Sequence, residues 1–456
     1  MLSDRIEADE FAIEVYELVH RPVIARRVSL PERTVATTTR THSHQEGSSM
    51  RPKNLALRLG LCLAAVLALL PASPASGAPE IEAAPPPDRP ILEAFWGGTP
   101  PADQVPWEML NTISYWFASP AGGRCSTPDA KQRKDIESLA AVKRDHPGLT
   151  VLISIGGWAA PGFGAGAATA ESRRAFVKSC VDKWLSAFPT GLVDGFDVDW
   201  EFPVSGGLPS IGNSPADRAN FTLLLKEFRT QLQRYARDHG RPGRAMKLSA
   251  DIPAGRVQDD GTGTGGAPYD ASNSFDLREV GRLVDIFNLM TYDFCTGYSK
   301  FSCFNDPLVK RPGDPNDEYN NNVGALKYMT DHGVPREKIV LGVPFYGRAF
   351  TVTSTANDGL YQPYTAMQFL DYKVLMGPEW AGDPGFRKGW DPIVRSPYLW
   401  NPEKKIWVSY ENPRSIQDRS LFAKRHRLAG MMMWELGADD PQHSLLAAMT
   451  GPWLRP

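Results

Sequence analysis

Short apolar or β-branched runs recur along the chain, separated by longer stretches that carry helix-like patterns. Eight such runs stand out: Ile91–Gly97, Thr112–Ala118, Leu149–Gly156, Leu192–Glu201, Met246–Pro253, Val284–Tyr292, Ile339–Tyr346 and Leu428–Glu435. Each predicts a strand. The intervals hold segments such as Glu171–Phe188 and Ala216–His239, and the second places Phe221, Leu224, Leu225, Phe228, Leu232 and Tyr235 at helical spacing. Strand alternating with helix predicts a parallel sheet, and a count of eight predicts closure into an α/β fold, the (β/α)8 TIM barrel, over 91–456. An open doubly wound sheet is the alternative, but no G-x-G-x-x-G follows the first run.

One interval breaks the rhythm. Residues 349–405 are rich in aromatics, Gly and Pro, show little helical periodicity and are too many for a simple loop. They predict a small α+β subdomain inserted between the seventh and eighth strands. Strand C-terminal ends form the functional face of such barrels, so this insert is expected to wall one side of the site.

The N-terminal region reads differently. Arg51, Lys53 and Arg58 lead into an apolar run from Leu59 to Leu70, too short to span a bilayer comfortably, and Ser76-Gly77-Ala78 offers the small residues of a cleavage site. Residues 50–78 are therefore expected to be a secretory signal peptide, followed by a stiff linker over 79–90 that contains Pro85-Pro86-Pro87. A signal normally starts a chain, which predicts translation from Met50 and makes 1–49 a mis-called or disordered extension. A cytoplasmic tail before an uncleaved anchor is the alternative. The reading implies a secreted or periplasmic monomer without a stable membrane anchor.

Composition narrows the classes. With 456 residues, 42% hydrophobic and 22% charged, the chain can bury a large core, which excludes global disorder. A formal charge of −2 leaves no broad footprint for nucleic acid. Beyond the signal the cysteines are Cys125, Cys180, Cys295 and Cys303, enough for two disulfides in an exported protein. Cys295–Cys303 is the expected pair, because both fall in one loop-like stretch. No C-x-x-C or H-E-x-x-H occurs, so neither metal nor cofactor is expected. The Gly-rich stretch Gly261, Gly263, Gly265 and Gly266 lacks the Lys-Ser/Thr of a phosphate loop. Twelve Trp and fourteen Tyr suggest flat platforms for sugar rings, with Trp158, Phe163, Trp380, Trp390 and Trp400 as candidates along a cleft.

The fourth strand carries the chemistry. Its period of two sets Asp197, Asp199 and Glu201 on one face and Phe196, Val198 and Trp200 on the other. The apolar set suits the outer helices, so the acids must point into the barrel and rise toward its mouth. Carboxyls spaced by about 6.6 Å along one strand cannot all be cheaply ionised when buried. Protons must be shared and at least one pKa must rise. General acid catalysis needs such a group, whereas stability would not select it. Asp194, at the base of the strand, is expected to be structural. Two carboxyls suggest a glycosidase, yet the usual pair flanks the sugar from opposite faces. Acids arrayed on one side favour an acid plus a nucleophile supplied by the substrate, such as a 2-acetamido oxygen.

These motifs together resemble the family-18 glycoside hydrolases, the chitinase family. Asp194-x-x-Asp197-x-Asp199-x-Glu201 matches that family's D-x-x-D-x-D-x-E signature, and Ser154-Ile155-Gly156-Gly157 its S-x-G-G. Met290-Thr291-Tyr292-Asp293 matches M-x-Y-D, Tyr346-Gly347-Arg348 matches the motif before the insertion domain, and Trp434-Glu435 ends the eighth strand. The resemblance implies that Glu201 protonates the leaving oxygen, that Asp199 turns to the acetamido N–H, and that Asp197 shares a proton with Asp199. It further implies that Tyr292 bonds the acetamido group and that Trp434 floors the −1 sugar. Met290, Asp293, Tyr346 and Arg348 are implied substrate contacts, and Ser154 a partner of the acid row. The implied activity is retaining, substrate-assisted hydrolysis of β-1,4-linked N-acetylglucosamine polymers or oligomers. An endo-β-N-acetylglucosaminidase acting on N-glycans is one alternative. A chitin-binding lectin is another, and loss of the acid marks such lectins, whereas Glu201 is present.

Overall fold

The computed structural model describes residues 87–208, 211–241, 246–257 and 269–454. The expected extension, signal peptide, most of the linker and the Gly-rich stretch lie outside the described residues.

Eight parallel strands close a barrel: β1 Ile91–Trp96, β2 Thr112–Ala118, β3 Thr150–Gly156, β4 Gly195–Asp199, β5 Lys247–Pro253, β6 Ile286–Met290, β7 Ile339–Pro344 and β8 Gly430–Trp434. Each neighbours the next in sequence, and β8 closes onto β1 with Ile91 opposite Gly430. All eight fall within the expected runs. β4 is shorter than its run, because apolar burial continues past the hydrogen-bonded ladder at both ends: Leu192, Val193 and Trp200 are all buried outside it.

Helices cover the strands, and local chemistry starts several of them. Asp129 caps Ala130–Asp145 by accepting from the Gln132 N–H at 2.8 Å, while Gln132 returns a bond to the Asp129 N–H. Asn412 and Pro413 open Pro413–Arg425 the same way, with proline in the first turn where no donor is needed. The long helix Asp217–Asp238 buries Phe221, Leu224, Leu225, Phe228, Leu232 and Tyr235, the stripe its spacing predicted. After β1 only short 3-10 turns, Ala102–Gln104 and Trp107–Met109, take the helix position. No helix among the described residues is long and apolar enough to cross a membrane.

Between β7 and β8 the chain builds a five-stranded antiparallel sheet. Its order is Tyr364–Asp371, Tyr346–Val352, Ile406–Ser409, Ser396–Asn401, Arg387–Asp391. The sheet starts two residues after β7 ends, so it runs wider than 349–405. One face packs on the loop after β6: Phe350, Val352, Trp400 and Trp407 share a core with Cys295, Cys303 and Phe304. Register puts Arg348 on that face, level with Phe369 and Ser409.

Two disulfides form, Cys125–Cys180 and Cys295–Cys303. The first closes a separation of 55 residues and the second only 8. Chain entropy alone assigns about 4 kcal/mol to the longer loop and about 2.5 kcal/mol to the shorter. Replacing Cys125 and Cys180 together by Ala should therefore lower the unfolding free energy more than replacing Cys295 and Cys303. Denaturant titration of the two double variants measures this, and an equal or reversed ranking would contradict the loop-closure account.

Candidate active site

Alternation along β4 sends its aromatics outward and its acids inward. Phe196 meets Phe228 of the long helix at 5.6 Å, and Trp200 stacks on Phe163 at 5.1 Å. Asp194 belongs to the base: it accepts from the Val151 N–H at 2.9 Å and from Arg241 at 2.9 Å, and pairs with Lys143. Those bonds tie β4 to its surroundings away from the mouth.

The flanking strands supply the partners of the acid row. Register sets Ser154 of β3, Asp197 and Ser249 of β5 at one level. Ser154 Oγ donates to Asp197 Oδ2 at 2.7 Å and Ser249 Oγ donates to Oδ1 at 2.6 Å. Burial pushes the Asp197 carboxyl up, while hydrogen bonds from Asp251 and these serines oppose the shift. One level nearer the mouth, Gly156 lies beside Asp199. A Cβ on Gly156 would sit 1.9 Å from the Asp199 carbonyl oxygen, at a φ of +122°, so the S-x-G-G motif has no room for a side chain here.

Asp199 is 4% exposed, and its Oδ1 has no hydrogen-bond partner among the described residues. Burial, then Glu201 and Asp197, push it well above the usual carboxylate range. Glu201 lies just past the ladder, half-buried, and burial together with Asp293 pushes it up to about 8. It therefore holds a proton at neutral pH, the state a general acid requires.

The loop after β6 closes the other flank. Tyr292 stands edge-on to Tyr346 at 6.1 Å, and burial pushes its hydroxyl well above its ordinary value. Gly342 of β7 leaves it space: a Cβ there would lie 2.9 Å from the Tyr292 ring. Asp293 Oδ1 accepts from Tyr346 OH at 2.7 Å and from Arg348 Nε at 3.0 Å, so the M-x-Y-D and Tyr-Gly-Arg segments lock together. The Arg348 guanidinium also lies over the Tyr346 ring at 5.5 Å. Met290 packs beside Tyr292 and Trp434 against the cluster of Phe95 and Met432. Trp434 stacks on Phe117 at 5.6 Å and 16°, with Trp116 at 5.5 Å, which makes an aromatic floor. Trp158 is 48% exposed and faces Phe202 and Tyr298.

Some expected platforms are not on the cleft. Phe163 and Trp400 are both buried, the first under Trp200 and the second in the insert core. Composition marks an aromatic ring but not which side of a strand it packs on. Trp390 is stacked under Arg414 at 4.2 Å. Trp380 lines a cavity of about 460 Å³ with Gln368, Glu379, Asp383, Phe386, Lys404 and Ile406. Gln368 and Ile406 alternate with Phe369 and Trp407, so this cavity opens on the sheet face opposite Arg348.

The structure adds groups that the sequence reading passed over. Glu93 of β1 is fully buried and accepts from Ser114 Oγ at 2.6 Å; burial, then Asp197, push it to about 8. Asp251 of β5 is buried beside Asp197 and hydrogen-bonded to it. The signal existed: Ser249 and Asp251 alternate with Leu248, Ala250 and Ile252, the same period of two as on β4. Glu435, after β8, is pushed to about 7 by burial and Asp371.

The sequence pattern of Glycosyl hydrolases family 18 matches residues 94–439. The chain belongs to this family. It is similar to Chitinase A1 of Niallia circulans, 33% identical over 323 residues that cover 67% of this chain and 43% of that protein. Chitotriosidase-1 of Mus musculus is 29% identical over 75% of this chain and 69% of its own. The chain thus spans less than half of the first relative's length. Among solved structures, a family-18 N-acetylglucosaminidase from Paenibacillus barengoltzii superposes with a TM-score of 0.69 at 29% identity, covering 80% of this chain and 99% of that one. Family 18 membership agrees with the motif set that frames the acid row.

Glu93 gives this family-18 barrel a pH signature. Its carboxyl keeps a proton to about 8 when folded, against an ordinary value of 4.5. The folded state binds more protons across that window, so stability falls as pH rises through it. Glu93→Gln removes this contribution and should flatten the decline by up to ~1.4 kcal/mol per pH unit. Urea titrations at pH 5, 6.5 and 8 read the slope, and parallel slopes for variant and wild type would contradict the assignment.

Proposed function

We propose that the chain is an exported chitinase that hydrolyses β-1,4 bonds between N-acetylglucosamine units with retention. The observation that carries this reading is the one-sided row Asp197, Asp199 and Glu201, topped by a carboxyl that holds its proton at neutral pH and flanked by Tyr292. In this reading Glu201 delivers its proton to the glycosidic oxygen as the bond to the anomeric carbon breaks. The acetamido oxygen of the −1 sugar forms the new bond to that carbon, and Asp199 accepts the acetamido N–H and steadies the charge. Glu201, now a carboxylate, takes a proton from water as the water oxygen reopens the ring. Two inversions leave net retention. Trp434, backed by Trp116 and Phe117, supplies the flat apolar floor for the sugar, and Tyr292 bonds the acetamide.

The names of the chitinase relatives support the substrate class. Similarity to the Paenibacillus N-acetylglucosaminidase favours a second reading in which single sugars are released from a chain end. Product analysis on soluble chitin oligosaccharides separates the two, and a high-mannose glycoprotein tests cleavage of N-glycans. Export rests on the signal-like residues 50–78, and both disulfides suit an oxidising compartment.

Glu201→Gln keeps the shape but has no proton to give. It should bind oligosaccharide while turnover falls by about 10²–10⁴; near-normal turnover would remove Glu201 from the role of acid. Fragments lacking the acetyl group in the −1 sugar should resist cleavage. A stable glycosyl adduct on Asp199, seen by intact-protein mass spectrometry with a fluorinated substrate, would overturn the substrate-supplied nucleophile.

A further inference from the structure

Asp251 lies in the acid cluster but has no part in the reaction just described. Register pairs Ser249 with Asp197, and Asp251 sits two residues further along β5 on the same face, one level nearer the mouth. It is 2% exposed, and its Oδ1 meets no hydrogen-bond partner among the described residues. The groups around it are Asp197 and Asp199 from β4, Glu93 from β1, Tyr292 from the loop after β6, and Asn288 of β6 opposite it in register. The charged groups in that set are all carboxyls.

Two carboxyls can hydrogen-bond only if one of them holds a proton. Both oxygens of Asp197 already accept from serines, at 2.7 Å from Ser154 and 2.6 Å from Ser249. Asp197 is thus equipped to be the acceptor, and the proton between the two belongs to Asp251. Burial and the neighbouring Asp197 and Asp199 push Asp251 well above the usual carboxylate range, in keeping with that assignment.

We propose that Asp251 is a positioning residue that donates its proton to Asp197 and so frees Asp199 to turn to the substrate. Without that donor, Asp197 would draw its third hydrogen bond from Asp199 and hold it down in the barrel. This inference rests on the glycosidase reading of the row. It assigns Asp251 no contact with the sugar. Its effect runs through Asp197, so it belongs to kcat rather than to binding in the aromatic cleft.

Asp251→Asn and Asp251→Ala test it. The amide still donates, so Asp251→Asn should keep kcat within about threefold of wild type. Asp251→Ala should lose roughly 10–100-fold in kcat, the scale of one hydrogen bond to a charged group, with KM nearly unchanged. Its acidic pH limb should also move to higher pH, because Asp197 loses a donor to its ionised form; a role in packing alone would leave the limb in place. Equal losses in the two variants, or an Ala variant with wild-type kcat and pH profile, would overturn the proposal. If the Ala variant does not fold, infrared difference spectra of wild type against Asp251→Asn at pH 7 decide: a lost protonated-carboxyl band is expected, and an unchanged spectrum overturns the assignment. Wild type inert on every chitin oligosaccharide would instead defeat the glycosidase reading, while the infrared result still judges Asp251.

Discussion

Carboxyl groups buried without a cation have to share protons, and the centre of this barrel is built on that constraint. Glu93, Asp197, Asp199, Glu201 and Asp251 act on one another through a low-dielectric interior, and none of them is ion-paired among the described residues. Full ionisation would set several like charges together where water cannot screen them. The compromise is graded: serines and Asp251 serve the deep Asp197, while the outermost group, Glu201, keeps its proton at the mouth. The interior that makes these groups costly for stability also gives the site an acid ready at neutral pH.

The rest of the fold holds that arrangement in register. Parallel pairing of β3, β4 and β5 puts Ser154 and Ser249 on opposite sides of Asp197, and Gly156 lets the β3 backbone approach Asp199. The insert contributes Tyr346 and Arg348, which clamp Asp293 and hence Tyr292 on the opposite flank. Its own seat is the core around Cys295 and Cys303, so the disulfide, the insert sheet and the loop after β6 form one wall. A buried Arg419 bonded to Asp306 and close to Glu411 joins this wall to the helix that precedes β8.

Much of this was legible in the sequence because it is periodic. The alternation from Phe196 to Glu201 assigns inner and outer faces without knowledge of any other strand, and eight apolar runs imply closure. Asp251 and Glu93 were harder to see: alternation sets Asp251 on an inner face, but each is a single acid on its strand and acquires meaning only from its neighbours on other strands. Ser249 likewise reads as an ordinary strand residue until register sets it against Asp197. For Phe163 and Trp400 the sequence leaves platform and packing open: their chemistry suits a sugar, but packing against Trp200 and the insert core claims them.

Where the protons of this acid cluster reside is read directly by carbon-13 NMR of the glutamate side-chain carboxyls. In protein labelled at the glutamate δ-carbon, the signals of Glu93 and Glu201, assigned from Glu93→Gln and Glu201→Gln, should titrate near 8. Titration of both signals near the ordinary 4.5 would contradict the account.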